Sequence, residues 1–405
     1  MSTSILYHCF GLSQYKCLRT EFKGGDTIFH IAKKPAKQRC VDCGSRKVIQ
    51  KGKKIRILRT LPIGRKTVFL AVHRQRLECK NCGAIKFESL DIALPKKHWT
   101  IALGRYVIEL LRRCTVKDVA ELLGMSWNTI KEIHSLYLRK KFERQKLTNL
   151  KNLRYLGVDE IAVKKGHRYM TIAVNLETGD VVWVSEGRDK LALEPFIKKL
   201  KKLKIPIKAI TMDMWQPYIN AVKEHYSEDV IIFDKFHIIS ACNKMLDDLR
   251  IAAAREAERA DIKVYKGIRY LLLEGSEKIK GKKSRAKLDE LLRLNTPLSK
   301  AYILKEELRR LWDCTSQEEA IEKWNQWLLT AGESAVNPII KFAKTIVKHF
   351  FGIVNYFNHR ITNAKVEGIN NKIKTMKRQA YGFRDMEYFK LRIYFIKQTR
   401  YSLVG

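Results

Sequence analysis

Apolar and polar residues alternate in short runs through roughly the first 95 positions, which predicts strands. The stretch KIRILRTLPIGRKTVFLAVHRQRLEC reads as two strands that turn at Pro62, Ile63 and Gly64. From about residue 98 to 150 the apolar spacing becomes helical. Alternation returns over residues 153 to 187 as LRYLGVDEIAV, HRYMTIAVNL and DVVWVSEG, with Gly166 and Thr178-Gly179-Asp180 at the turns. A helix (ALEPFIKKLKKL), a strand (IKAITMDM), a second helix (QPYINAVKEH) and a last strand (DVIIFDKF) follow. Three hairpin-linked strands succeeded by alternating helix and strand predict a mixed sheet with helices on its faces. From about 240 to 360 the pattern is helical, and EKIKGKKSRAK within it reads as a solvated connection between helices.

Charge adds a partner to this outline. The 405 residues carry 80 Lys and Arg against 42 Asp and Glu, a formal charge of +38. A hydrophobic fraction of 45% is enough for packed cores, so the charge does not belong to a disordered tail. A folded chain so charged attracts polyanions, with nucleic acid ahead of a membrane surface. No run of about 18 apolar residues predicts a membrane span. The opening MSTSILYHCFGLSQYK lacks the basic start and long apolar core of a secretory signal. In such a chain, paired cysteines favour metal over disulfides. Cys40-Val-Asp-Cys43 and Cys79-Lys-Asn-Cys82, each followed by Gly, can close a four-cysteine structural zinc site across a hairpin. The other five cysteines read as ordinary thiols.

The stretch TVKDVAELLGMSWNTIKEIH predicts a helix-turn-helix. Val116, Val119, Ala120, Leu122 and Leu123 give the first helix an apolar face. Gly124 permits the turn, Ser126 caps the second helix, and Ile130 and Ile133 anchor it. Ser126, Trp127, Asn128, Thr129 and Lys131 would then face a DNA groove.

Three acids stand where solvated acids usually do not. Asp159 lies in the apolar strand YLGVDEIAV, and adjacent Glu160 is an alternative to it. Asp213 ends the apolar run IKAITMD, and strand ends of α/β sheets gather ligands. Glu367 is the one acid between Glu333 and Asp385, among Lys341, Lys344, Lys348, Arg360, Lys365, Lys372, Lys374, Lys377 and Arg378. On a helix striped with Val366, Ile369, Ile373 and Met376, the residues Glu367, Asn371, Lys374 and Arg378 share another face. Two strand carboxylates and a helix carboxylate can hold two divalent cations about 3.5–4 Å apart, as in phosphoryl-transfer sites. Magnesium suits such oxygen ligands, with manganese the alternative. The surrounding cations, with Asn371, would hold the DNA backbone.

Taken in order, the cysteine knuckles, the helix-turn-helix, GVDEIAVKKGHRYMTIAVNLETGDVVWVSEGR, ITMDMWQPY, IIFDKFHII and ITNAKVEGINNKIKTMKRQAYGFRD resemble the ISL-three family of bacterial insertion-sequence transposases. The resemblance covers essentially the whole chain. It implies a ribonuclease-H-like core with a catalytic triad, placing the acids at Asp159, Asp213 and Glu367, and an insertion that splits this core. It leaves Asn175 where an acid was expected, and that position carries no catalytic weight. Asp234 and His237 match the family's pair in FDKFH and could approach the metals, bind DNA or form a structural pair.

The expected fold is therefore multidomain α+β. An N-terminal zinc ribbon spans residues 1–95, and a helix-turn-helix domain spans 96–150. A ribonuclease-H-like mixed α/β core at 151–242 is interrupted by an all-helical insertion at 243–352 and completed by 353–405, which carries Glu367. The expected activity is cutting DNA at the terminal inverted repeats of a mobile element and joining 3′-hydroxyl ends to target DNA. The expected cofactors are two magnesium (or manganese) ions and one structural zinc. A homodimer or larger assembly on DNA is expected, in the bacterial cytoplasm at the nucleoid, with no membrane partner. A transposase-derived regulator without activity, or a nuclease that does not join strands, is the alternative. Trp312, Trp324 and Trp327 are expected in a core, and Trp215 beside the site.

Overall fold

The computed structural model describes residues 5–145, 150–164, 166, 168–257, 265 and 267–398. The boundary expected at 150 adjoins residues 146–149, which lie outside the described residues. So do Lys165 and His167 of the predicted first hairpin, and 258–264 and Lys266 of the helical stretch. Two compact units are present, one reaching to Glu143 and the other running from Arg144 to Lys397.

The first unit starts with helix α1 (Ile5–Phe10) and a hairpin of β1 (Tyr15–Lys23) and β2 (Asp26–Lys33). The predicted strand pair forms as β3 (Val48–Arg59) and β4 (Val68–Cys79), antiparallel, with short β5 (Ile85–Phe87) on β4. The order β1-β2-β4-β3 makes β2 and β4 parallel neighbours. Alternate residues Phe29 and Ile31 of β2 and Val68, Leu70 and Val72 of β4 fill the core, as a half-buried sheet requires. By contrast β3 is exposed over most of its length, on both of its faces.

Helices α2 (Ile101–Leu110), α3 (Val116–Leu123) and α4 (Trp127–Gln145) follow. A reciprocal capping box starts α3: Asp118 N donates to Thr115 Oγ1, and Thr115 N donates to Asp118 Oδ2. Gly124 ends α3 at φ 56°, the left-handed conformation that glycine adopts without strain. Ser126 Oγ accepts from Thr129 N at 3.2 Å to start α4, whose Ile130 and Ile133 are buried. One expected core residue fails. Leu122 is 66% exposed, because at 100° per residue it points away from the stripe of Val116, Val119, Ala120 and Leu123.

The second unit is built on β6 (Tyr155–Lys164), β7 (Arg168–Asn175), β8 (Val181–Glu186), β9 (Ala209–Met212) and β10 (Ile231–Phe233). Their order is β10-β9-β6-β7-β8, the first two hairpins antiparallel and the β6–β9 and β9–β10 pairs parallel. Helix α5 (Lys190–Lys202) connects β8 to β9, and α6 (Gln216–Lys223) connects β9 to β10. Asn175 accounts for itself here: its Oδ1 accepts from Glu177 N and Thr178 N, forming the β7–β8 turn.

Helix α7 (Lys235–Glu256) opens the helical region and runs straight through the boundary expected at 242. Beyond it come α8 (Arg269–Leu273), α9 (Lys282–Leu294), α10 (Thr296–Arg310), α11 (Gln317–Gly332) and α12 (Asn337–Lys348). The predicted solvated connection is shorter than expected, since its KKSRAK half is the start of α9. One apolar core extends from sheet residues Leu156, Ile210 and Phe233 into Trp312, Trp324, Trp327 and Ile339 of the helices, so the tryptophans are packing residues as expected. The chain returns to the sheet through α13 (Phe350–Val354), α14 (Tyr356–His359), α15 (Ala364–Gln379) and α16 (Met386–Tyr394).

Candidate active site

Residue pairing along β6 places Gly157 opposite Thr211 of β9, so Asp159, in the middle of β6, stands beside Asp213, the residue just past the end of β9. Side-chain oxygens of Asp159, Glu160 and Asp213 lie within 4.8 Å of one another, each residue half-buried. Asp234 and His237 form a second group around Asp213. Asp234 N donates to Met212 O at 3.0 Å, fixing the start of α7 against the end of β9. Its side chain caps α7 by accepting from Phe236 N at 3.3 Å. This sets His237 one turn into the helix, with Nε2 at 3.0 Å from Asp213 Oδ1 and 3.9 Å from Asp234 Oδ2.

The packing that presents the third acid is unusually close. A Cβ on Gly157 would stand 2.4 Å from Val366 Cγ2, 2.8 Å from Leu176 Cδ2 and 2.9 Å from Asn363 Oδ1. Only glycine lets α15 approach β6 this far. Polar bonds lock the contact. Thr211 donates its hydroxyl to Asn363 Oδ1, Asn363 Nδ2 donates to Val158 O at 3.4 Å, and Asn370 Nδ2 donates to Asp159 Oδ2 at 2.6 Å. Glu367 lies in the first turn of α15, three residues before Asn370 and therefore on the adjoining face. It is exposed and joins neither carboxylate group, although its charge contributes to raising the Asp234 carboxyl.

Burial, reinforced by Asp213, raises the Asp159 carboxyl to about 7. Burial and then Asp213 also raise Glu160, and burial is the main cause of the rise at Asp234. The contact with Asp213 raises His237 to about 8 against the opposing effect of desolvation. Three buried acceptors in this small volume lack a hydrogen-bond donor: Glu160 Oε2, Asp213 Oδ1 and Asn370 Oδ1. The one basic group within ion-pair distance of Asp213 Oδ1 among the described residues is His237, whose Nε2 lies 3.0 Å away. Acceptor-only oxygens gathered without donors are the ligand set of a hard divalent cation, and the residues fit one.

A family model described as a transposase, of the DDE type and the ISL3 family, matches residues 156–393, the span holding all of these acids. The chain belongs to the ISL3 family of transposases. It is a DDE-type insertion-sequence transposase, an enzyme. The transposase for insertion sequence element IS1001 of Bordetella parapertussis is 32% identical over 87% of this chain and 87% of its own length. The transposase for IS1557 of Mycobacterium tuberculosis is 27% identical over 86% of this chain and 83% of its own. The Drosophila P element transposase strand transfer complex aligns over 66% of this chain and 88% of its own at 9% identity and a TM-score of 0.32, too slight a likeness to argue from.

Two further ISL3 models match the first unit. One, a helix-turn-helix domain of transposase family ISL3, covers 88–135, and the other, a zinc finger of the IS204, IS1001, IS1096 and IS1165 transposases, covers 36–82. The ribbon's sulfurs stand as a metal cage should. Cys40 Sγ lies 3.7 Å from Cys82 Sγ, Cys43 Sγ lies 3.5 Å from Cys79 Sγ, and all four fall within 4.8 Å. A tetrahedron with zinc–sulfur bonds of about 2.3 Å sets its sulfurs about 3.8 Å apart. A backbone bond from Cys82 also brings Cys79 down to about 6, toward the thiolate a metal binds.

The ISL3 helix-turn-helix leaves Trp127 and Asn128 exposed on α4, with the Lys131 ammonium 5.3 Å over the Trp127 ring. Ser126 and Thr129 bond to each other at 2.8 Å, so their hydroxyls also serve the helix start. On α15, Asn371, Lys374 and Arg378 are exposed on one face as expected. Not every nearby cation is available to DNA, however. Lys377 Nζ donates to Ala162 O at 2.8 Å, Lys365 Nζ donates to Glu177 O at 2.8 Å, and Arg360 donates to Cys314 O and Thr315 O at 2.7 Å. These three fasten the chain around Glu367. Asn370, which touches Asp159, was not singled out from sequence. Its signal was a polar residue on the buried stripe, four after Val366 and three before Ile373.

Proposed function

We propose that this transposase cuts DNA at its element's terminal inverted repeats and joins the freed 3′-hydroxyl ends to target DNA, using Asp159, Asp213 and Glu367 as the ligands of two magnesium or manganese ions. The observation that carries this reading is the meeting of Asp159, Glu160 and Asp213, with donorless buried oxygens, beside the helix that bears Glu367. Divalent cations held there polarise the phosphate and stabilise the leaving oxygen. In the first displacement water attacks the phosphorus and the 3′-oxygen leaves as a hydroxyl. In the second that hydroxyl attacks a target phosphodiester, whose own 3′-oxygen departs.

The chain's residues contribute position and proton control. Asn370 orients the Asp159 carboxylate through Oδ2, while Glu160 N donates to its Oδ1 at 2.7 Å. Asp234 and His237 support Asp213 from the start of α7. Asn371, Lys374 and Arg378 on α15, and Ser126, Trp127, Asn128, Thr129 and Lys131 at the helix-turn-helix, hold the DNA. One structural zinc closes Cys40, Cys43, Cys79 and Cys82. We divide the chain into ribbon (1–95), helix-turn-helix (96–150), core (151–242 and 353–405) and helical insertion (243–352), the last sharing its apolar core with the sheet. Two ends must be brought together for joining, so the working form on DNA is at least a dimer. No helix among the described residues is long and apolar enough to cross a membrane, and we place the work at the nucleoid, in the cytoplasm.

The test uses labelled duplexes from the DNA flanking the reading frame, with magnesium. Wild-type protein should nick and then join them. Asp159→Asn, Asp213→Asn and Glu367→Gln should each bind the duplex and leave it intact. A variant that cuts at the wild-type rate removes that residue from the site, and wild-type binding without any product in either metal would favour the inactive regulator.

A further inference from the structure

We propose that Arg188 grips the phosphate at which the DNA strand is cut, as a planar guanidinium held ready against two aromatic rings. This rests on the reading of the acid cluster given above. Arg188 sits in the turn between β8 and α5. Its Cζ lies 4.4 Å from the ring centroid of Tyr169 and 5.0 Å from that of Trp215. Trp215 follows Asp213 by two residues, and Tyr169 lies on β7 two residues before Thr171, the partner of Glu160. Arg188 therefore stands at the rim of the site that holds Glu160 and Asp213.

Three hydrogen bonds tie the Gly187–Arg188 backbone. Gly187 N donates to Tyr169 O at 2.9 Å, Thr171 Oγ1 donates to Gly187 O at 2.9 Å, and Trp215 Nε1 donates to Arg188 O at 2.8 Å. The two rings crowd the guanidinium as these bonds fix its root. What the guanidinium does not do is equally informative. Burial and Asp213 raise the Glu160 carboxyl while the Arg188 charge acts against both, so the cation is near the acids. Yet among the described residues no carboxylate lies within the 4.0 Å of an ion pair, and no acceptor takes a hydrogen bond from its side chain. A half-buried arginine beside several acids, restrained from pairing with them, keeps its fork of N–H donors for something else. The ligand that must enter this space in the proposed reaction is a phosphodiester, and the planar fork matches two phosphate oxygens as a lysine cannot. With Asp159, Asp213 and Glu367 holding cations that would supply Lewis-acid chemistry, Arg188 would grip the phosphate's remaining oxygens. It would draw charge from the equatorial oxygens as the in-line displacement proceeds.

The experiment is single-turnover cutting of the flanking-DNA duplexes by full-length protein. Arg188→Ala should cut about 100-fold slower or worse, the loss typical of removing one donor to a developing oxyanion. It should retain the melting temperature and the duplex affinity set by the helix-turn-helix. Because the Tyr169–Trp215 slot persists, added methylguanidinium chloride should raise the Arg188→Ala rate, whereas methylammonium chloride at equal ionic strength should not. Arg188→Lys should fall between wild type and Ala. An Ala variant cutting within about threefold of wild type overturns the proposal. So does a slow Ala variant whose rate neither methylguanidinium nor the lysine substitution raises. If wild-type protein itself cuts nothing, the reading of the acid cluster fails first, and that outcome is visible before any Arg188 variant is examined.

Discussion

Substituting Gly157 by Ala tests the close approach on which the site depends. The residue is absent from the positive-φ glycines, so alanine meets no backbone penalty there and the effect is purely steric. The added Cβ would face Val366 Cγ2 at 2.4 Å, where ordinary contact begins at 3.4 Å. Either Val366 changes rotamer or α15 retreats from β6 by about an ångström, and Leu176 and Asn363 obstruct the first choice at 2.8 and 2.9 Å. A retreat of that size would stretch the Asn370–Asp159 bond from 2.6 Å to beyond the hydrogen-bond range of about 3.2 Å. Overpacking of this kind costs about 1–3 kcal/mol. A misplacement near 1 Å at a phosphoryl-transfer site lowers the rate by about 100-fold. Gly157→Ala should therefore lower the thermal midpoint modestly and the cutting rate severely. Adding Val366→Ala removes the nearest clash, so the double variant should lose less than the two single variants combined. Calorimetry and single-turnover cutting on the same preparations would measure both. Wild-type cutting by Gly157→Ala, or strict additivity in the double variant, would refute the argument that this contact sets the position of α15.

Other expectations follow from individual bonds. Metal analysis should find about one zinc per chain, and Cys40→Ser or Cys79→Ser should lower both zinc content and the first unit's thermal midpoint. Arg59 donates from Nη1 to Gly124 O at 2.9 Å and from Nη2 to Leu123 O, closing the end of α3. Arg59→Ala should cost about 1–3 kcal/mol in that unit and weaken DNA binding through the helix-turn-helix, read by denaturant melts and by duplex titration. The pH dependence has a fixed sign. Asp159 binds its proton more tightly folded, at about 7, than at its ordinary 3.8, so the folded state holds more protons between those values. Without magnesium, the contribution of Asp159 to stability should fall as pH rises from about 4 to 7, and that of His237, raised from 6.5 to about 8, should fall up to about 8. Asp159→Asn should flatten the lower part of that curve in thermal melts that keep the ribbon's zinc; an unchanged curve would place the titration elsewhere.

Much of the architecture was legible because it rests on periodicity. The alternation in YLGVDEIAV and YMTIAVNL and the turn at Thr178-Gly179-Asp180 give β6, β7 and β8 directly. Asp159 and Asp213 stood out because an ionisable group in an apolar run needs a reason. What resisted reading was the choice between neighbours that periodicity treats alike. Asn370 and Asn371 are adjacent, and counting four from Glu367 selects Asn371, yet the approach of β6 makes Asn370 the residue at Asp159. Nor does sequence separate cations that fasten the fold, such as Lys377 and Arg360, from exposed Lys374 and Arg378. That depends on which backbone carbonyls come within reach after folding. Leu122 fails for a simpler reason, being apolar by type but on the outer side of α3.

The acid cluster and the net charge of +38 oppose each other in a useful way. A strongly positive protein repels divalent cations at long range, so the carboxylates must bind them by local contact alone. DNA would reverse that field, because each phosphate brought to Lys374 or Arg378 would lower the positive potential over the site. Metal affinity should then be greater on DNA than off it, and linkage requires DNA affinity to rise by the same factor when metal is bound. Magnesium titrations of the protein with and without the flanking-DNA duplex should therefore show tighter metal binding on DNA, and equal affinities would refute the coupling.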